Sequence, residues 1–221
     1  EILKLPNGCK TGLNGWKMQE HFSQQTKLIL VINPEQSPFS NPNREWGLLY
    51  NGKKVIESIT MQPKISELKQ FILIGMSFYG DPFDSFAGWD EENQIGRLWK
   101  RFMNFFSHHP EIIPMLNQAS VYYEVHIYNE ETREKGLFEV FVGMETNIKD
   151  IKDFPIELSV KILPVTQYAI FTFSGEQINS DWEDVLQNWL LTSGYQSSYS
   201  YNFQYYDERF KGLANLKESV L

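Results

Sequence analysis

Residues 168–207 read YAIFTFSGEQINSDWEDVLQNWLLTSGYQSSYSYNFQYYD, and this stretch decides the fold. It opens with a run of mostly β-branched and aromatic residues that ends at a Ser-Gly pair, which is typical of a strand entering a turn. Across 182–190, large apolar residues recur at spacings of three and four, which predicts a helix with one apolar face that ends before Gly194. Aromatic residues return at 201–207 and predict a second strand. The stretch is therefore predicted to lay one helix over a short sheet.

A fainter copy of this pattern lies upstream. In the same order along the chain, 70–74 matches 167–171, the apolar helical stripe from Ile95 matches that from Trp182, and 124–129 matches 202–207. Three matches in one order predict an α+β fold made of two βαββ units. Each unit would form an antiparallel sheet under one covering helix, and a ligand cleft would lie between the two halves.

The start of the chain shows no copy of this unit. It is predicted to form a small β-rich segment or a connector, with a hairpin turn at Asn51-Gly52 and a linker at 63–68. The predicted boundaries are 1–66 for this segment and 67–221 for the duplicated domain, with halves at about 67–147 and 158–221. The second half needs a last strand that would begin at Ser219, so that strand is expected to be incomplete.

Composition narrows the classes of function. With 42% hydrophobic and 22% charged residues, the chain is predicted to form a soluble globular protein. Its net charge of −8 and its lack of a Lys and Arg cluster argue against direct contact with nucleic acid, which needs a basic face. No apolar run is long enough to span a membrane, and the single Cys9 excludes an internal disulfide. These features predict a cytoplasmic protein without a membrane partner.

Three motifs resemble the GyrI-like effector-binding domain of AraC-type and MerR-type bacterial transcription regulators. They are Tyr-Ala-Ile-Phe-Thr-Phe-Ser-Gly at 168–175, Trp-Leu-Leu-Thr-Ser-Gly-Tyr at 189–195 and Phe-Gln-Tyr-Tyr-Asp at 203–207. The resemblance covers about residues 67–221. It implies a sensor domain that holds a bulky aromatic, often cationic, molecule in the cleft between its halves. It also implies that DNA is contacted only through a separate DNA-binding domain.

The chain departs from the family pattern at two positions. The family usually has a glutamate that meets the positive charge of the ligand where this chain has Gln204, and often has another where it has Gln196. A neutral amide donates and accepts hydrogen bonds but supplies no charge. On the matching strand of the first half, alternation places Glu124 on one face with His126 and Tyr128. If that face points into the cleft, Glu124 replaces the missing carboxylate; if it points to solvent, Glu124 is a surface residue.

The aromatic content of 15% predicts either a packed β-rich core or a pocket lined by rings. The pocket interpretation predicts eight ligand-binding residues: Trp99, Phe102, Glu124, His126, Tyr128, Tyr168, Gln204 and Tyr206. Trp99 would turn its ring toward the cleft from near the start of its helix, while Tyr168 and Tyr206 would stack on the ligand and offer their hydroxyls. The competing interpretation places the rings of the helical stripes in the core and gives His126 a structural role.

A small-molecule sensor is the first predicted function, and two alternatives remain open. A hydrolase would need Glu124 or His126 as its base, because Gln204 lacks the carboxylate that some relatives of the domain use. The chain has no serine-hydrolase, zinc-protease or phosphate-loop motif. No metal or cofactor is predicted, since the pair His108-His109 lacks carboxylates at ligand spacing. A module that binds gyrase or another protein would use the aromatic residues of 80–93.

Overall fold

The computed structural model describes residues 26–33, 61–82, 84, 93–117, 120–146, 154–175, 177 and 182–210. Seven strands lie in these ranges: β1 Thr26–Asn33, β2 Lys64–Ile65, β3 Lys69–Gly80, β4 Tyr122–Ile127, β5 Phe138–Glu145, β6 Ser159–Thr172 and β7 Gln196–Tyr206. The same ranges contain the helices α1 Gln94–His108, α2 Glu130–Lys135 and α3 Trp182–Ser193 and the 3₁₀ helix Pro110–Met115. None of the helices in this described part of the chain has the length and apolar character needed to cross a membrane.

All seven strands belong to one antiparallel sheet, in which hydrogen-bonded neighbours follow the order β1-β7-β4-β5-β3-β6-β2. β1 also pairs with β6, so the pairing of six strands returns to its starting point and the sheet curls. Pairing of this kind protects strand edges that would otherwise be open to other chains. The architecture combines α-helices with a curled antiparallel sheet, which confirms the α+β class predicted from the sequence.

The curl depends on β6, the longest strand, which changes partners along its length. Its residues 159–166 pair with β3, and its residues 167–172 pair with β1. One extra residue bulges from β6 next to Pro164, where the pairing with β3 shifts register. Proline lacks the N–H of a regular ladder and is tolerated at such a bulge. The strand therefore begins at Ser159 and is longer than the strand predicted from Tyr168.

β3 and β5 approach each other closely at a pair of glycines. Gly75 lies directly opposite Gly143 in the register of these strands. A Cβ atom on Gly75 would lie 1.9 Å from the backbone oxygen of Val142, and one on Gly143 would lie 2.3 Å from that of Ile74. Backbone atoms held in a ladder have little room to retreat, so only glycine fits at either position.

On the sheet face that carries no helix, buried side chains pack together in one group, which we call the interior cluster. This cluster consists of Phe71, Leu73, Val121, Tyr123, Val125, Phe141, Leu163, Tyr168, Tyr201 and Phe203. The ring of Phe71 lies 5.7 Å from that of Tyr123, 5.4 Å from that of Tyr168 and 5.3 Å from that of Phe203. Tilted and edge-to-face contacts at these distances stabilise a core beyond the burial of apolar area. Much of the aromatic content therefore forms a packed interior.

Each of the two long helices covers a separate part of the opposite face. Asn93 caps α1 by accepting a hydrogen bond from the N–H of Gly96 at 2.8 Å. The α1 cluster, on β3 and β5, consists of Met76, Ile95, Leu98, Phe102, Val140, Val142 and Met144. The α3 cluster, on β6, consists of Ala169, Phe171, Phe173, Leu186 and Trp189. Both helices lie where the apolar periodicity predicts them.

Two predictions about the first part of the chain differ from the structure. Residues 63–68 are not a plain linker, because β2 lies within them and pairs with β6. Thr26–Asn33 joins the sheet between β6 and β7 instead of standing apart from it. Both partners are distant in the sequence, and local patterns do not identify distant partners. The Asn51-Gly52 turn and the strand expected from Ser219 lie outside the described residues, and the division at residue 66 stays a prediction.

Candidate functional site

The candidate site lies on β4 and β7, which pair side by side in the sheet. Their register places Tyr122 opposite Tyr206, Glu124 opposite Gln204 and His126 opposite Asn202. Because side chains alternate between the faces of a strand, these six share one face, and the residues between them belong to the interior cluster or pack against it. We call these six residues and Trp99 of α1 the seam site.

Glu124 lies at the centre of the seam site and is 3% exposed. Its Oε2 accepts the Nε1–H of Trp99 at 2.5 Å, and its Oε1 accepts the Nε2–H of His126 at 2.8 Å. A carboxyl group with so little access to water needs such donors, because its burial without hydrogen bonds is very costly. Of the two sequence interpretations of Glu124, the structure therefore excludes the solvent-exposed one.

Gln204 and Tyr206 complete the polar part of the site. Gln204 is 3% exposed, and its Oε1 accepts a hydrogen bond from the hydroxyl of Tyr206. Its amide nitrogen donates to no residue in the described ranges. Burial, followed by the negative charge of Glu124, raises the pKa of Tyr206 well above its ordinary value. The Tyr206 hydroxyl therefore stays protonated at physiological pH and acts as a donor.

Aromatic rings enclose these polar groups. The ring of Trp99 lies 5.5 Å from that of Tyr206 and 6.2 Å from that of Tyr122, edge-on in both cases. Tyr122 packs against the α1 cluster, and burial raises its pKa to about 12. On the other side, the ring of Phe210 lies 5.0 Å from that of Tyr206 and packs against the α3 cluster. The seam site thus lies between the two regions that the long helices cover.

The structure brings together five of the eight residues predicted to bind a ligand, which are Trp99, Glu124, His126, Gln204 and Tyr206. Tyr128 lies at the end of the same face, where its hydroxyl accepts a hydrogen bond from the side-chain amide of Asn202 at 3.2 Å. Phe102 is 2% exposed within the α1 cluster, and Tyr168 is 1% exposed within the interior cluster on the other face. These last two residues are not brought to the seam site.

Three residues of the site or beside it were missed by sequence reasoning, namely Tyr122, Asn202 and Phe210. Tyr122 lies two residues before Glu124, so the alternation that selects Glu124 also selects it. Asn202 lies opposite His126, and only the register of β4 and β7 reveals this. Phe210 lies beyond the end of β7, and no pattern in the sequence indicates its contact with Tyr206.

The seam site is closed in this structure. Two grooves formed by described residues lie elsewhere. One, of about 520 Å³, runs along α1 and is lined by Met76, Arg101, Asn104, Phe105, His108, His109 and Glu157. The other, of about 240 Å³, lies between β2 and α3 and is lined by Gln62, Pro63, Ile65, Trp189, Thr192, Ser193 and Tyr195. The open ring-lined cleft expected from the sequence is therefore not formed by the described residues around Glu124 and Gln204.

The seam site combines aromatic ring faces, hydrogen-bonding groups and one acid–base pair. Glu124 and His126 form a buried carboxylate–imidazole pair. In the part of the chain that the structure describes, no three His, Cys, Asp or Glu side chains come together in a way that would hold a metal ion. What the site mainly offers is ring faces and hydrogen-bonding groups, which are the usual means of holding a small molecule.

The domain profile described as the GyrI-like small molecule binding domain matches residues 61–219. The chain belongs to the GyrI-like family. BrlR, a transcriptional regulator of Pseudomonas aeruginosa, is 26% identical over 159 residues, which span 69% of this GyrI-like chain and 50% of BrlR. The chain therefore spans about half the length of this curated relative.

Among the solved structures similar to this GyrI-like chain are those of SAV2435 and EcmrR. SAV2435, solved with tetraphenylphosphonium bound, has a TM-score of 0.43 at 13% identity, and the match covers 66% of this chain and 93% of that one. EcmrR, solved in a complex with DNA, has a TM-score of 0.39 at 12% identity, and the match covers 67% of this chain and 57% of that one. Membership of the family rests on the domain profile, which spans most of the chain.

Proposed function

We propose that this GyrI-like chain is the sensor part of a bacterial transcription regulator and binds a bulky aromatic molecule, preferably a cation, at the seam site. The observation that carries the proposal is the buried carboxyl group of Glu124, enclosed by the rings of Trp99, Tyr122 and Tyr206. Ring faces bind flat apolar surfaces and attract cations, and a carboxylate adds the opposite charge. Gln204 would contact the same ligand as a neutral group.

Binding at the seam site would require Trp99 to move. Its indole is joined to Glu124 by one hydrogen bond, and it is partly buried. The helix that carries it is anchored by the buried residues of the α1 cluster, against which one side of the indole also packs. Rotation of the side chain alone would free Oε2 of Glu124 without displacing the helix. The rings of the ligand would then replace the indole against Tyr122 and Tyr206.

Titration with aromatic dyes and cations, tetraphenylphosphonium among them, is expected to quench tryptophan fluorescence saturably because Trp99 lies in the site. Gln204→Ala and Tyr206→Ala should each weaken binding by about tenfold, since each removes a buried polar contact. Tyr199→Ala is the control, because Tyr199 lies on the same strand and is 43% exposed. If no compound in the panel changes either the fluorescence or the melting temperature saturably, the proposal is contradicted.

The role in transcription is proposed from a relative. BrlR, which matches across 69% of this chain, is a transcriptional regulator. The net charge of −8 disfavours direct contact of this chain with DNA, because phosphate binding needs a basic face. The ligand-dependent change would therefore reach DNA through a separate DNA-binding domain, and the protein would work in the bacterial cytoplasm.

We also propose that the fold consists of two βαββ units and that β1 completes the second. In the first unit, β3 is followed by α1, β4 and β5, and β5 pairs with both β3 and β4. In the second, β6 is followed by α3 and β7, and β1 pairs with both β6 and β7. The position of β1 thus corresponds to that of β5, which supports two similar halves that meet at the seam site.

Ile29→Pro is expected to lower the free energy of unfolding by about 2 kcal/mol or more, because proline removes an N–H from a strand that has partners on both sides. Ile29 is paired with Ile170 of β6 and with Phe203 of β7. Ile29→Val keeps the N–H and is the control. Urea denaturation followed by circular dichroism compares the two variants, and equal midpoints would show that β1 does not complete the sheet.

A hydrolase is the second candidate function, favoured by the 2.8 Å contact between Glu124 and His126. A paired carboxylate and imidazole orient a water molecule and accept its proton when water reaches them. Turnover of a reactive electrophile that is lost in both Glu124→Gln and His126→Ala would support this candidate. Saturable binding without turnover would support the sensor alone.

Binding of gyrase or another protein remains a prediction. It depends on the aromatic residues of 80–93, which are Phe83, Phe86 and Trp89 and which all lie outside the described residues. A pull-down of gyrase with the purified chain tests it, and absence of gyrase from the bound fraction would remove gyrase as a partner.

A further inference from the structure

We infer that the ligand of the seam site carries an N–H donor on its positive group, as a protonated amine, an amidinium or a guanidinium does, next to an aromatic body. The inference rests on the proposed function and narrows the class of ligand. It follows from two points. Glu124 already accepts hydrogen bonds in the closed site, and a ligand that binds there would displace one of the donors.

Both oxygens of Glu124 hold an N–H donor in the closed site. Trp99 donates to Oε2 at 2.5 Å, and His126 donates to Oε1 at 2.8 Å. The residue is 3% exposed, so water reaches the two oxygens poorly. A buried acceptor that loses its donor without a replacement weakens binding by roughly tenfold or more. A ligand that displaces either donor must therefore supply a donor of its own.

Trp99 is the donor that the ligand displaces. It is partly buried, whereas His126 is 6% exposed and its ring lies 5.5 Å from that of Phe138. Apart from its hydrogen bond to Glu124, Trp99 is held by contacts with aromatic rings, which the rings of a ligand can replace. Departure of the indole leaves a ring-sized space beside Tyr122 and Tyr206, which fits the aromatic body of the ligand. The N–H lost from Oε2 is then replaced by the N–H of the ligand.

Tyr206 does not make good the lost donor, although its hydroxyl also lies within hydrogen-bonding reach of Glu124. The hydroxyl carries a single hydrogen, and Oε1 of Gln204 competes for it. Turning this hydrogen to Glu124 would leave the buried oxygen of Gln204 without it. One buried oxygen therefore still lacks a donor once the indole has left, and the ligand must supply that donor.

Cations that lack an N–H fit this exchange poorly. A quaternary ammonium or phosphonium group surrounds its charge with carbon, so it attracts the carboxylate but donates no hydrogen bond to Oε2. A charged N–H donor makes a shorter and stronger hydrogen bond to a carboxylate than a neutral one does. The protonated amine thus replaces the N–H of the indole and adds a positive charge, whereas the quaternary cation adds the charge alone.

Calorimetric titration at pH 7 with a matched pair of ligands tests the inference. The pair is dimethyl(3,3-diphenylpropyl)amine, which is protonated at this pH, and its trimethylammonium counterpart, which has the same rings and charge but no N–H. The chain should bind the protonated amine at least about tenfold more tightly. Glu124→Gln should abolish this preference. Trp99→Phe, which keeps a ring but removes the competing N–H, should maintain or increase it.

The outcomes separate the inference from the proposed function. Equal affinities, or tighter binding of the quaternary ligand, would overturn the inference and leave the sensor function standing. Absence of binding by both ligands would also overturn the inference, whereas only absence of a saturable response to every compound of the dye and cation panel would overturn the proposed function. If Glu124→Gln fails to fold, the Trp99→Phe variant still decides, because loss of the preference there would contradict the exchange of donors.

Discussion

Gly143→Ala is expected to lower the free energy of unfolding by about 3 kcal/mol or more. The added Cβ would lie 2.3 Å from the backbone oxygen of Ile74 and 2.7 Å from the ring of Phe141. The oxygen belongs to β3, which is paired with β5 on one side and β6 on the other, so it cannot retreat without breaking a ladder. Urea denaturation followed by circular dichroism measures the loss.

Gly136→Asn is the control for this substitution. Gly136 has a left-handed φ of 73°, and a Cβ added there would meet no atom within 4 Å. Asparagine adopts this conformation more readily than most side chains, so the expected loss is below about 1 kcal/mol. If Gly143→Ala is no less stable than this control, the close approach of β3 and β5 is not as described.

Glu124→Gln is expected to weaken the binding of protonated dimethyl(3,3-diphenylpropyl)amine by about 10- to 100-fold. The substitution keeps the shape of the side chain but removes its charge, which is the feature that selects a cation. Binding of the neutral 3,3-diphenylpropan-1-ol should change far less, because the rings of Tyr122 and Tyr206 remain. Calorimetric titration of both compounds against both chains measures the difference.

Gln204→Glu is the reciprocal variant, because Gln204 lies directly opposite Glu124. A second carboxylate should tighten the binding of the protonated amine. It should also destabilise the empty site, because like charges buried together repel each other.

For Glu124→Gln, equal losses of affinity for the amine and for the alcohol would contradict recognition of charge at this position.

The sequence predicted the elements that depend on local patterns. The apolar stripes from Ile95 and Trp182 identify α1 and α3, because a helix shows its buried face at spacings of three and four. The place of Thr26–Asn33 between β6 and β7 depends on partners more than 130 residues away, and no local pattern encodes such a choice. The bulge of β6 next to Pro164 likewise becomes clear only once the register with β3 is known.

Only part of the candidate site was predicted, because local patterns give the periodicity of a strand but not how distant elements pack. Alternation along β4 and β7 correctly grouped Glu124 with His126, and Gln204 with Tyr206, because the period of a strand is fixed. Alternation does not tell which face the helices cover, so Tyr168 was assigned to the ligand although it packs in the interior cluster. The closure of the site by Trp99 depends on the position of α1 over the sheet, which sequence patterns do not give.

A crystal structure of the chain with bound dimethyl(3,3-diphenylpropyl)amine would show whether a ligand takes the place of Trp99 at Glu124. We expect the rings of the ligand beside Tyr122 and Tyr206, its N–H donating to Glu124, and the indole of Trp99 displaced from the carboxyl group. A ligand bound instead in the groove along α1, beside Phe105 and His109, with Trp99 still donating to Glu124, would contradict this expectation.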